Sequence, residues 1–159
     1  MLQFYTNNRI FDKKIIMFSK EESAALRKDF WTSFGKSFPK KWLLYNTKIK
    51  DVSFKFLADT KTAMVCLDIE SKDSFLNDWY FDKFLSLRKI LESEYIPTII
   101  FDAAYVLDNG KVIHRIYTKL PEKFSIHNKN TWRNAYEFFV ENMTRFERFF
   151  YEYEDFIKS

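Results

Sequence analysis

The chain has 159 residues, 47% of them hydrophobic and 20% aromatic, so it carries enough apolar surface to fold and is not globally disordered. Its two glycines and single cysteine exclude glycine-rich phosphate-binding loops, an internal disulfide and a cysteine-rich zinc site. The net charge of +4 is unevenly distributed: residues 1–50 carry 11 basic and 4 acidic side chains, whereas residues 51–159 carry 15 and 18. This asymmetry fits a surface for nucleic acid or another acidic partner, and it also fits an ordinary solvated face.

The first predicted element is a helix that begins after Ser19. Ser19 and Glu22 form a capping-box pattern, in which the serine hydroxyl accepts a hydrogen bond from a free backbone amide. We expect the helix to end at Gly35, since glycine suits the left-handed conformation that follows many helices, and Pro39 prevents the helix from resuming. Residues 36–50 then form a basic, aromatic loop.

Residues 52–70 predict a β-hairpin. Apolar and polar side chains alternate on both sides of a short polar turn at Thr60–Lys61. This turn pairs Phe54 with Leu67 and brings all the apolar partners onto one face, which is the condition that a half-buried hairpin must meet.

A second helix is predicted from a cap at Ser71 or Asp73 to about Glu92. Phe81 and Leu85 lie on nearly the opposite side from its main apolar stripe, and a helix that is apolar on two sides is usually buried on both. The main stripe comprises Leu76, Trp79, Tyr80, Phe84, Leu87, Ile90 and Leu91.

Residues 97–121 predict a second hairpin. Asn109–Gly110 lies between its two apolar runs and favours a two-residue type I′ turn, because both residue types tolerate a positive φ. Such a turn would pair Tyr105 with His114 on the face that the helices cover.

The last predicted helix begins near Asn130 and carries aromatic residues at an unbroken 4-3-4-3 spacing, with Asn142 and Thr144 as the positions where it would kink or split. The element order is therefore α-ββ-α-ββ-α. We predict a single α+β domain over residues 17–159, in which two hairpins form a four-stranded antiparallel sheet with helices packed on one face. We expect residues 1–16 to be an N-terminal extension, or to result from a translation start that was assigned upstream of the true one.

The loop after the first helix is the first candidate site. It combines five lysines with aromatic residues, Trp42 and Tyr45 among them, and contains no acidic residue. Lysines neutralise phosphates and aromatic faces stack on bases, so this composition suits nucleic acid. Alternatively, the tryptophan fills the core and the lysines only keep the loop soluble. The candidate residues are Lys36, Lys40, Lys41, Trp42, Tyr45, Lys48 and Lys50.

The second candidate is the face of the sheet that points away from the helices. Alternation along the fourth strand brings Arg115, Tyr117 and Lys119 onto this face. Together they are similar to the cationic and aromatic decoration of sheets that bind single strands. Apolar residues on the same face, including Ile100 and Val106, fit a dimer contact equally well.

The third candidate is a set of three carboxylates and a lysine. Asp68 and Glu70 lie on one side of a predicted strand, Asp51 lies opposite Glu70, and Lys72 follows. An acid followed by an acid-x-lysine motif is the minimal pattern of a magnesium-dependent PD-(D/E)xK nuclease, in which the carboxylates hold the metal. The same segment also has to provide a helix cap, so the pattern has a purely structural interpretation.

Three phrases of the sequence resemble a known family. They are MFSKEESAALRKDFWTSFGK at 17–36, WLLYNTKIKDVSFKF at 42–56 and HRIYTKLP at 114–121. On these segments the chain resembles the bacterial domain of unknown function 4268 family, from Met17 to about residue 155. The resemblance implies a small domain that is sometimes joined to a nuclease-like domain in longer bacterial proteins. It carries no established activity, and it favours nucleic-acid or defence-related work by analogy only.

Two classes of function follow from these observations. The first is a non-enzymatic bacterial module that binds nucleic acid or a protein partner, forms a homodimer and needs no cofactor. The second is a nuclease that uses Mg²⁺ with Asp51, Asp68, Glu70 and Lys72. We expect a cytoplasmic location, since the sequence has neither a membrane-spanning run of about 18 apolar residues nor a signal peptide.

Overall fold

The computed structural model describes residues 18–159, and the chain divides into two compact units, Met1–Pro39 and Lys40–Ser159. The expected extension at residues 1–16 lies outside the described residues. Among the described residues, no helix has both the length and the apolar character needed to cross a membrane.

Helix α1, Lys20–Ser37, is the described element of the first unit. Its start confirms the prediction, because the Ser19 side chain accepts a hydrogen bond from the Glu22 amide at 3.1 Å. Its predicted end is wrong: the helix continues through Gly35 to Ser37 and is capped by Phe38. Pro39 explains this end, since a proline disfavours the helical conformation of the residue before it.

The second unit is built on a four-stranded antiparallel sheet, in the order β1-β2-β4-β3. The two hairpins meet through β2 and β4, so these two strands form the centre of the sheet. This arrangement confirms the predicted α+β class and the predicted order of elements. The strands are β1 (Val52–Ala58), β2 (Ala63–Ile69), β3 (Ile100–Val106) and β4 (Val112–Lys119).

The helices of this unit agree with the prediction at one boundary and differ from it at others. Asp73, one of the two predicted caps, accepts a hydrogen bond from the Phe75 amide at the start of α2, and α2 ends at Ser86 instead of near Glu92. The last helix, α4, is preceded by a 3₁₀ turn that is capped by Asn128, so it begins at Trp132 and not near Asn130, and it continues without a break to Lys158. The helical segments are α2 (Ser74–Ser86), α3 (Arg88–Ile90), a π-helical turn (Leu91–Tyr95), the 3₁₀ turn (Lys129–Thr131) and α4 (Trp132–Lys158).

Aromatic rings join α4 to one face of the sheet. The ring of Phe54 lies 5.4 Å from Phe146 and 5.7 Å from Phe150, and Phe56 lies 5.1 Å from Phe139. The three phenylalanines of α4 are at most 1% exposed. The aromatic stripe of the last helix is therefore the core of this unit, as its spacing predicts.

Helix α2 buries only part of its predicted main stripe. Phe84 of that stripe is buried, and so is Phe81 on the other side, as the two apolar sides predict. Leu76 and Trp79 of the main stripe are 39% and 37% exposed, which the periodicity alone does not show.

The first hairpin has the predicted register, with Phe54 opposite Leu67. The second does not, because its turn is one residue longer than a type I′ turn. The Leu107 amide donates to Lys111 at 2.8 Å, and only Gly110 has a positive φ, of 85°. These are the features of a type I turn closed by a left-handed glycine, which is the other common hairpin geometry for this sequence.

The longer turn and a bulge between Asp102 and Tyr105 change the partners of β3. Tyr105 pairs with Ile113 instead of His114, and Ile100 pairs with Tyr117. His114 stays on the helix face, where its ring lies 4.7 Å from Phe81. Tyr105 moves to the opposite, outer face of the sheet, so the prediction that it faces His114 beneath the helices is wrong.

Candidate functional site

Buried hydrogen bonds hold the loop over residues 40–51, which precedes β1. Thr47 is 1% exposed; its hydroxyl donates to the Val52 carbonyl at 2.7 Å and accepts from the Ile49 amide at 3.1 Å. At the other end of the loop, the Leu43 amide donates to a carboxylate oxygen of Glu147 on α4 at 2.6 Å. The loop is therefore fixed to both the sheet and the last helix.

Three non-glycine residues of this loop adopt the left-handed backbone conformation. The φ angles are 43° at Leu44, 61° at Lys48 and 63° at Asp51. Each costs about 1–3 kcal/mol and persists only where the surroundings determine the backbone, a situation that is common at binding sites. The strain is offset here by the bonds of Thr47 and by a bond from the Phe54 amide to the Leu44 carbonyl at 2.9 Å.

The two aromatic residues of the loop have different surroundings. Trp42 is half-buried, with its ring edge-on to Phe56 at 5.5 Å and the Lys40 ammonium 4.3 Å from its centre. Tyr45 is 72% exposed. Trp42 thus takes part in the packing, as the structural alternative expects, and Tyr45 presents a free aromatic face.

The lysines of the loop also divide into two groups. Lys40 lies 3.5 Å from a Glu147 oxygen, so its charge is partly neutralised. Lys41, Lys48 and Lys50 are exposed and form no ion pair within residues 18–159. The remaining candidate of this group, Lys36, lies exposed in the last turn of α1, in the first unit.

A cleft of about 400 Å³ opens beside Tyr45, where β1 begins and β2 ends. The two strands are joined there by a hydrogen bond from the Glu70 amide to the Asp51 carbonyl at 2.9 Å. Side chains of both charges line this cleft, whereas Lys41 and Lys48, which belong to the same loop but do not line the cleft, are both basic. The lining residues are Tyr45, Ile49, Lys50, Asp51, Val52, Ser53, Glu70 and Lys111.

A buried network of charges occupies the outer face of the sheet. Asp68, which is fully buried, accepts two hydrogen bonds from the Arg115 guanidinium, at 2.7 and 2.8 Å. The Lys55 ammonium lies 3.1 Å from Asp68 and 2.6 Å from Glu70. Each charge in this network has an opposite charge beside it, as buried charges require.

The network changes the acid–base behaviour of its cations. Burial by itself lowers the pKa of Lys55, but hydrogen bonds and charge interactions with Glu70 and Asp68 outweigh burial and raise it. Burial likewise opposes the charged form of Arg115, and the bond to Asp68 reverses this, so its pKa is raised. Both side chains therefore stay positively charged at neutral pH.

The outer-face candidates Arg115, Tyr117 and Lys119 have different accessibility. Arg115 is 4% exposed, is bound to Asp68, and lies 4.2 Å from the Tyr105 ring centre. Tyr117 is half-buried and packs edge-on against Tyr105 at 5.6 Å, and burial followed by the interaction with Tyr105 raises its pKa. Of the three residues, Lys119 is the exposed one.

The comparison with family models agrees with the phrases quoted above. The model described as domain of unknown function (DUF4268) matches residues 26–154. The chain belongs to this family. No curated protein and no solved structure matches the chain. The loop, the cleft and the buried network all lie within the matched residues, so they are parts of the DUF4268 domain itself.

The structure separates the four residues of the nuclease hypothesis. Both oxygens of Asp68 are bound by Arg115, Glu70 is paired with Lys55, and Asp51 shares the cleft with Glu70. Lys72 lies exposed in the turn before α2. Over residues 18–159, no three His, Cys, Asp or Glu side chains form a group suited to a metal ion.

Sequence reasoning missed two cations that face these carboxylates in the DUF4268 domain, Lys55 and Lys111. A signal for Lys55 is present, because the correct register of the first hairpin puts it opposite Cys66 and therefore beside Asp68 on the same face. No such signal exists for Lys111, whose approach to Glu70, at 3.9 Å, depends on how the two hairpins meet.

Proposed function

We propose that this DUF4268 domain is a non-enzymatic module that binds a nucleic-acid strand through the loop over residues 40–51. The observation that carries the proposal is the exposed ring of Tyr45 in the same loop as Lys41, Lys48 and Lys50, three exposed lysines that form no ion pair in the described part of the chain. Stacking of a base on an aromatic side chain contributes about 1–3 kcal/mol, and lysines beside it neutralise the phosphates on either side.

The fixed conformation of the loop supports the same proposal. The hydrogen bonds of Thr47 and Glu147 hold the loop before any ligand arrives. A preformed loop loses little conformational entropy when it binds, and this raises affinity without additional contacts. The cost of three left-handed residues is also easier to understand if the loop conformation itself is required.

Binding explains the charged residues of the sheet better than hydrolysis does. A metal-dependent nuclease needs carboxylate oxygens that face an open site. Asp68 is fully buried and its oxygens are already bound by a guanidinium. We therefore interpret the network around Asp68 as structural. The proposal includes a bacterial and defence-related setting, which rests on the family resemblance, and a cytoplasmic location, which rests on the sequence features given above.

The test is binding of a fluorescent single-stranded oligonucleotide, followed by anisotropy at increasing salt. We expect wild-type affinity to fall with salt with a logarithmic slope of about −2, because three lysine–phosphate contacts each contribute about 0.7 on a single strand. The triple variant Lys41→Glu, Lys48→Glu, Lys50→Glu should lose binding while its melting temperature stays close to that of the wild type.

The matched control reverses three exposed lysines outside the loop, Lys61, Lys89 and Lys123, and so makes the same change in net charge. It should keep most of the wild-type affinity. Tyr45→Ala should weaken binding by about 5-fold to 150-fold, the equivalent of one stacked base. The proposal fails if the wild type retains no strand at low salt, or if the control triple variant loses as much affinity as the loop variant.

A further inference from the structure

The cleft beside Tyr45 contains chemistry that phosphate binding alone does not need. Its volume of about 400 Å³ lies within the range of small-ligand sites. Lys50 and Lys111 line it, but so do the carboxylates of Asp51 and Glu70. A surface that only attracted a polyanion would gain nothing from these two acidic groups, because they repel phosphates.

The two carboxylates are not equivalent. Glu70 is held 2.6 Å from Lys55 and 3.9 Å from Lys111. Asp51 is exposed and its side chain forms no ion pair or hydrogen bond within residues 18–159. It also occupies a left-handed position, with φ of 63°, directly before β1. Asp51 is therefore an exposed acceptor that has no donor among the described residues, in a cleft that the exposed ring of Tyr45 also lines.

An ionised carboxylate only accepts hydrogen bonds, so it selects ligands by the donors they present. Among nucleobases, guanine presents an N–H and an amino group side by side on its Watson–Crick edge, and a carboxylate can accept from both at once. Thymine and uracil present two carbonyl oxygens on either side of a single N–H, and these oxygens would face the carboxylate with like partial charge.

We propose that the cleft accepts one guanine of the bound strand, stacked on Tyr45, with its N–H and amino group donating to Asp51 and the adjacent phosphates near Lys50 and Lys111. This inference rests on the proposed function, since it concerns the same loop and adds base preference to it. Glu70, whose charge is balanced by Lys55, lines the same cleft.

The test compares three single-stranded oligonucleotides that are all thymine except at one central position, which is guanine, inosine or thymine. Inosine keeps the ring N–H of guanine and lacks its amino group. We expect wild-type affinity in the order guanine, inosine, thymine, with about 5-fold to 150-fold between the first and the last, the range for a bidentate base contact.

Asp51→Asn is the decisive variant, because asparagine tolerates the left-handed backbone and replaces one acceptor oxygen by a donor. It should remove the preference for guanine, so that the variant binds the guanine, inosine and thymine strands with equal affinity. Asp155→Asn, which makes the same change at an exposed site on α4, should keep the preference.

The outcomes separate the two proposals. Equal wild-type binding of all three strands overturns the guanine inference and leaves the binding function standing. An equal rise in affinity for all three strands with Asp51→Asn also overturns it, because this would show only the loss of a repulsive charge. Failure of the wild type to bind any strand overturns the proposed function, and the inference with it.

Discussion

The buried pair of Asp68 and Arg115 predicts a large loss of stability when one charge is removed. Asp68 is fully buried and Arg115 is 4% exposed, and two short hydrogen bonds join them. Removing one member of a buried pair leaves the other charge uncompensated, at a cost of about 3–5 kcal/mol. Asp68→Asn keeps one acceptor oxygen for Arg115, so we expect the lower end of this range, about 3 kcal/mol.

The measurement is urea unfolding together with thermal melting. For a domain of this size, 1 kcal/mol changes the melting temperature by about 2–4 °C, so Asp68→Asn should melt about 6–12 °C below the wild type. The double variant Asp68→Leu, Arg115→Met replaces the pair by apolar groups of similar volume, and it should be more stable than Asp68→Asn because no buried charge remains unpaired.

The control for this experiment is an exposed ion pair on α4. Arg133 and Glu137 are 89% and 58% exposed, and pairs of this kind contribute about 0.3–0.5 kcal/mol. Arg133→Ala should therefore change stability very little. The reasoning is refuted if Asp68→Asn destabilises the protein no more than Arg133→Ala does, or if the apolar double variant is the least stable of the three.

Three further predictions concern the core, the pH dependence and the assembly of the chain. Phe139 is fully buried against Phe56, so Phe139→Ala should lower the free energy of unfolding by about 3–5 kcal/mol. A change in urea midpoint too small to detect would contradict its place in the core. The raised pKa of Lys55 means that its stabilising effect is complete below the ordinary lysine pKa of about 10.4 and is lost as the pH rises through the higher folded value. As the pH rises over that alkaline range, the free energy of unfolding of Lys55→Met should therefore fall less than that of the wild type. Equal falls in the two proteins would contradict a stabilising role for charged Lys55. We also propose a homodimer, because Phe75 and Val106 are 71% and 62% exposed and exposed apolar side chains mark surfaces that a partner can bury. Light scattering that gives a mass of 19.4 kDa at every micromolar concentration would exclude the dimer.

Local sequence signals determined most of the framework. Ser19 marks the start of α1 because its hydroxyl satisfies an amide within the same turn. The register of the first hairpin follows from strict alternation, since a slip of one residue would expose every apolar side chain. The sequence alone also showed that residues 36–50 are rich in lysine and include no acidic residue. In each case, the deciding interaction joins residues that are close along the chain or repeat with a fixed period.

The second hairpin shows where local signals are insufficient. Asn109–Gly110 is compatible with both a type I′ turn and a type I turn that ends in a left-handed glycine, and these differ by one residue in register. The choice between them, together with the bulge before Tyr105, is made by packing on the two faces of the sheet. Packing likewise decides that Phe84 of the main stripe of α2 is buried whereas Leu76 and Trp79 of the same stripe are partly exposed.

The chemistry of the site depended still more on tertiary structure. Strands β2 and β4 are neighbours only because the hairpins meet in the order β1-β2-β4-β3, and this alone brings Arg115 to Asp68, 47 residues away in sequence. A sequence shows which side chains carry charge, but not which charges neutralise each other in a buried interior. That pairing decides that Asp68 is occupied, whereas Lys41, Lys48, Lys50 and Asp51 form no ion pair within residues 18–159. A charge is free to bind a ligand only if the fold has not already paired it.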